Sequence, residues 1–173
     1  LWLIAVLVMA GGIASGALLL TRAPRPTTMA PERLNSARIR DLDLAFYLAR
    51  VERDPTGARD RAVLGGLYLA RARTKGAESD MVEAERLARV SLRQRSMHNT
   101  GALNVLISAL MAQHKFLEAY AAAATLLDRD SSATARAILG EVALELGRYA
   151  EANSRFGSVA LLRTDPAIAP RYA

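Results

Sequence analysis

Cysteine is absent from the 173 residues, and histidine occurs twice. The first absence excludes disulfide frameworks, thiolate metal sites and a cysteine nucleophile, and the scarcity of histidine argues against a conventional metal centre. Lysine is nearly missing too: Lys75 and Lys115 stand alone, so 21 of the 23 basic side chains are arginines. Aromatic residues make up 5% of the chain, and no window shows the period-two alternation of a half-buried strand. Nucleophile-elbow, phosphate-loop, dinucleotide and zinc signatures are likewise missing. What is abundant is alanine and leucine, within a 51% hydrophobic composition. Both are helix formers, and the length suits one core-bearing domain, so the sequence predicts an all-α protein.

The chain opens on Leu1–Leu20 (LWLIAVLVMAGGIASGALLL), which carries no charge. About 20 residues at roughly 1.5 Å each cross the roughly 30 Å hydrocarbon core, so residues 1–20 read as a transmembrane helix in contact with the lipid bilayer. The segment exceeds the roughly 7–15 apolar residues of a cleavable leader and is therefore expected to stay as an anchor. Gly12 and Gly16 form a small-x-x-x-small face for packing against another helix, with a partnerless span as the alternative. The arginines that follow, Arg22, Arg25, Arg33, Arg38 and Arg40, would hold the domain in the cytoplasm. A basic flank before Leu1 would reverse that; single N-terminal anchors commonly enter with the N-terminus inside. The expectation is a single-pass protein of a bacterial inner membrane with a periplasmic domain. Residues 21–33 hold Pro24, Pro26 and Pro31 without apolar periodicity and read as an extended linker.

From about residue 34, helical stretches are separated by breaks at Asp54–Gly57, Thr74–Ser79, Ser96–Gly101, Gln113–Lys115, Asp128–Ser132, Gly147–Arg148 and Thr164–Pro166, giving seven helical segments. Three of these repeat one another: MVEAERLARVSL, FLEAYAAAATLL and YAEANSRFGSVALL each place an acid just before Ala84, Ala119 or Ala152, and these alanines are 35 and 33 residues apart. The last unit also has Leu139-Gly140, Gly147 with Tyr149, Phe156 and a closing Asp165-Pro166; the first has Leu64-Gly65 and Tyr68, and the middle one Leu106 and Phe116 with Ile107 in place of glycine. Paired helices at this period resemble the tetratricopeptide repeat (TPR) family.

The resemblance implies a short TPR-like α-solenoid of about three helix pairs over residues 34–166, followed by a tail at 167–173. Asp41–Pro55 would be the second helix of a unit whose first is degenerate or absent. Small residues would sit where paired helices cross, and stacked neighbours would supply the core that one pair cannot. The resemblance also implies a concave groove lined by the first helix of each unit. Position by position, it would present Arg59, Ala62, Gly66 and Leu69, then Asn104, Ser108 and Met111, then Ala137, Glu141, Leu144 and Glu145. The Lys-Asn set with which some family members hold a terminal carboxylate is absent. A mixed groove, acidic at one end, suits an extended or helical segment of another protein.

His98 and His114 fall at helix breaks and read as solvated turn residues; the carboxylate pairs Glu83/Glu85, Asp128/Asp130 and Glu141/Glu145 read as helix faces and caps. No catalytic, cofactor-binding or metal-binding residue is assigned. Arg86, Arg89 and Arg93 share one helical face. That stripe could meet anionic lipid headgroups or nucleic acid, although no stacking aromatics are interleaved with it and nucleic acid is disfavoured. The functional expectation is a non-enzymatic, membrane-anchored interaction scaffold. Its partners would be protein subunits of a larger membrane complex, such as a photosynthetic or respiratory assembly, or it would act as an envelope assembly factor.

Overall fold

The structure, a computed structural model, describes residues 36–157. The expected transmembrane helix at 1–20 with Gly12 and Gly16, the linker at 21–33 and the tail at 167–173 lie outside the described residues. Among the described residues no helix is long and apolar enough to cross a membrane.

Seven helices occupy the described residues: α1 Ser36–Arg53, α2 Ala58–Lys75, α3 Glu78–Gln94, α4 Thr100–Ala112, α5 Phe116–Arg129, α6 Ala133–Glu145 and α7 Tyr149–Gly157. Their boundaries follow local chemistry. After α1, the Asp54 carboxylate accepts from the Thr56 backbone N–H at 2.9 Å and hydroxyl at 2.7 Å, closing a turn around Pro55. Ser132 caps α6 by accepting from the Ala135 N–H at 3.1 Å. Gly76 ends α2 in the left-handed conformation, φ 66°.

One boundary differs from expectation. The break predicted over Thr74–Ser79 narrows to Gly76 and Ala77. Thr74 bonds back to the Arg71 carbonyl at 2.9 Å and stays helical. Arg71 then reaches across the turn and grips Asp80 with two bonds, 2.7 and 2.6 Å, fixing the start of α3 against the end of α2.

Helices α2/α3, α4/α5 and α6/α7 form antiparallel-type pairs of the expected kind, each helix packing on the next, while α2 also touches α4. The first helices of the first two pairs therefore lie side by side. Helix α1 packs on α2 through Leu44, in a cluster with Leu64 and Leu87. The main core joins Leu103, Leu106, Ile107 and Leu110 of α4 to Ala119, Ala123 and Leu126 of α5 and Leu139 of α6. Ala84, Ala119 and Ala152, the periodic alanines, are 0%, 0% and 2% exposed. Gly65 and Gly140 mark two crossings: a β-carbon would lie 2.9 Å from Val105 Cγ1 at the first and 2.9 Å from Phe156 Cε1 at the second.

Candidate functional site

The side-by-side first helices leave two depressions. The larger, about 480 Å³, lies between α2 and α4 and extends to the α3–α4 connection; its apolar part is Ala62, Val63 and Val105, and Arg59 and Arg95 border it with His98 and Asn99. Neither arginine has a carboxylate partner among the described residues. The connection is held from below by Ser91, fully buried, whose hydroxyl donates to the Ala58 carbonyl at 2.6 Å and accepts from the Asn99 amide at 3.0 Å. That amide also donates to the Arg95 carbonyl at 3.0 Å. Asn99 is thus spent on tying α3 to α4, and it makes no side-chain cap on α4 although it stands at the cap position. The Arg95 Nε bonds the Met97 carbonyl at 3.3 Å, and His98 adopts φ 52°, so the rim of the depression is a tight, left-handed turn.

The second depression, about 240 Å³, is walled by Asn104, Ile107, Ser108 and Met111 of α4 and by Ile138, Glu141 and Val142 of α6, with Arg73 at its edge. The structure therefore brings Asn104, Ser108, Met111 and Glu141 together around one depression and places Arg59 at the neighbouring one. Leu144 and Glu145 are exposed at the end of α6 and line neither. Leu69 requires correction. It is buried, 6% exposed, against Ala84 and Ala109, where two small side chains leave room that only a large one fills. It contributes to the core and presents nothing to the groove.

Arg73, Arg95 and His98 were not expected at these depressions. Arg95 and His98 come from the connection between units, where helical periodicity carries no signal; the break at Ser96–Gly101 was the sole indication.

The basic stripe is largely satisfied within the molecule. Arg86 holds Glu83 through two bonds of 2.8 and 2.7 Å. Arg89 joins Glu85 at 2.7 Å and, across the repeat boundary, Glu118 at 2.5 Å. Arg93 is exposed and has no carboxylate partner among the described residues. Glu85 is the hub: it also accepts from Lys115 at 2.8 Å and from the Gln113 amide at 2.9 Å. Burial pushes its carboxyl up, but the bonds from Lys115, Arg89 and Gln113 outweigh burial and bring it to about 2. The next boundary uses Tyr120, which donates to Glu151 at 2.8 Å while the Arg148 guanidinium lies 4.3 Å above its ring.

His98 and His114 stand at separate turns, and His114 meets Phe116 edge-on with centroids 5.5 Å apart. No group of three or more His, Asp or Glu side chains able to hold a metal ion occurs among the described residues.

No family model matches the sequence, and no curated protein does. A solved structure with the same fold is that of a thermophilic TPR protein of Thermus thermophilus. It superposes with a TM-score of 0.68 at 18% identity, covering 78% of this chain and 71% of that one. The likeness is one of fold, and the fold of this chain is an all-α, TPR-like solenoid.

Proposed function

We propose that the chain is a non-enzymatic, membrane-anchored scaffold that docks a segment of another protein on the face formed by α2, α4 and α6. In this reading residues 1–20 hold it in a bacterial inner membrane with the solenoid on the periplasmic side, as an accessory or assembly subunit of a larger membrane complex. The uncharged run at 1–20 supports the anchor. The observation that carries the docking role is the unfilled depression between successive first helices, where apolar Ala62, Val63 and Val105 lie beside Arg59 and Arg95. An apolar floor beside two cations fits a partner segment that offers an apolar side chain next to a carboxylate. Binding of anionic lipid or nucleic acid through Arg86, Arg89 and Arg93 has less support, because Arg86 and Arg89 are already held by Glu83, Glu85 and Glu118.

The test is a mild-detergent pull-down of the full chain from native membranes, with protein identification by mass spectrometry. The Arg59→Glu/Arg95→Glu variant is expected to lose the co-purifying partner by about tenfold or more, since two charge reversals at a docking rim cost a few kcal/mol. The Gly12→Leu/Gly16→Leu variant is expected to retain it. Loss in the glycine variant with retention in the arginine variant would place the contact in the apolar segment and overturn groove docking.

A further inference from the structure

Helix α2 outlasts its counterpart in the next pair. Counted from the crossing residues Gly65 and Ile107, α2 runs ten residues on, to Lys75, whereas α4 runs five, to Ala112. At roughly 1.5 Å per residue the difference is about 7 Å of additional helix. The projection is firmly built: Gly76 closes its turn at φ 66°, and the buried Asp80 accepts both bonds from Arg71 across it. The core does not need this length, since beyond Ala72 the helix buries no residue. What the added turn carries is Arg73, exposed, at the edge of the depression walled by α4 and α6. The equivalent place in the second pair, eight residues past Ile107, is Lys115, which lies outside α4 and is committed to Glu85 at 2.8 Å.

With Arg73 in place, the two depressions together are bordered by three guanidinium groups, those of Arg59, Arg95 and Arg73, and by one carboxylate, Glu141. None of the three arginines has a carboxylate partner among the described residues. We infer that the docked segment is acidic and lies extended over α4, with one carboxylate at the rim shared by Arg59 and Arg95 and a second beneath Arg73. The inference rests on the docking role proposed above and names its occupant. Charge complementarity selects an acidic segment, because three unpaired cations facing one carboxylate favour anions and repel a basic or neutral-polar chain. The spacing sets the register. Arg59 and Arg73 are fourteen residues apart on α2, about 21 Å along the helix. An extended chain covers that distance in about six residues at roughly 3.3 Å each, an even number that turns both acids to the same face. The apolar floor of Ala62, Val63 and Val105 then receives a small or aliphatic side chain from the stretch between them.

The probe is a fluorescein-labelled peptide, Ser-Glu-Ser-Leu-Ser-Leu-Ser-Glu-Ser, and its control carries Gln in place of both Glu. Fluorescence anisotropy against the full chain in mild detergent at low salt is expected to show the Glu peptide binding about tenfold more tightly than the Gln peptide. Arg73→Glu should lose about tenfold and Arg73→Lys stay within about threefold, with unchanged circular dichroism, since the side chain lies outside the core. Arg93→Glu alters an exposed cation that lines neither depression and should leave binding within about twofold. Equal binding of the two peptides, an Arg73→Glu variant that binds like wild type, or an equal loss in Arg93→Glu would each overturn the inference. If the Glu peptide fails to bind while the Arg59→Glu/Arg95→Glu variant still loses its partner in the pull-down, the acidic occupant falls and docking stands; failure of both removes the two together.

Discussion

Gly140 and Ile107 occupy equivalent places in successive units, and so do the residues they meet in the paired helix. Gly140 meets the Phe156 ring, and Ile107 shares its cluster with Ala123, which is fully buried. The large and small members of the pair have changed places between units, and the volume at the crossing is conserved. The departure of Ile107 from the glycine pattern is therefore a compensated one, which single positions of the sequence do not disclose. Leucine at position 140 has no such compensation. Gly140→Leu should lose about 1–3 kcal/mol, seen as a fall in Tm of about 2–4 °C per kcal/mol in thermal unfolding. Alanine there should do far less harm, because helix propensity returns up to about 1 kcal/mol against the displacement of Phe156.

At the scale of helices, the α2–α3 pair shows why one boundary was misread. Thr74 to Ser79 reads as a loop by composition, and isolated propensity favours that reading. Tertiary chemistry reverses it: Asp80 is 5% exposed, and the Arg71 guanidinium both holds it and stacks on Tyr68, 4.8 Å from the ring centroid. Asp80→Ala should leave Arg71 half-buried without its partner and cost about 2–3 kcal/mol, with the urea midpoint lowered and the m-value unchanged. The remaining boundaries were legible because proline, glycine and capping serine or aspartate act locally. The repeat phase was legible because a crossing tolerates only small side chains, and Ala84, Ala119 and Ala152 recur there. Asn104, Ser108, Met111 and Glu141 could be placed from helical period and resemblance. Leu69 could not, because its orientation depends on the small Ala84 and Ala109 opposite; nor could Arg95 and His98, which belong to a connection.

Across the whole molecule, ion pairs between helices centre on a few carboxylates, Asp80 within the α2–α3 pair and Glu85 between that pair and the next, and this sets the response to acid. Asp80 is held below the usual carboxylate range by the Arg71 bonds, against its burial, and Glu85 is brought to about 2. Depressed folded-state values stabilise the fold above the ordinary carboxylate pKa and cease to do so as pH falls towards 2. Unfolding free energy should therefore change little near neutrality and decline from about pH 5 downward. Glu85→Gln should flatten part of that slope, about 1–2 kcal/mol after allowing for the solvent around Arg89 and Lys115, each 40% exposed. Urea titrations of both proteins across that range would measure it.

Among the described residues, no substantial packing joins helices more than two places apart in the chain. Low contact order of this kind implies that order spreads from neighbour to neighbour without closing any long loop, on a timescale of about microseconds to milliseconds. It also implies that the solenoid has no single point of failure. It should open from its ends inward, with the α4–α5 pair, covered on both sides, the last to release its amide hydrogens to solvent.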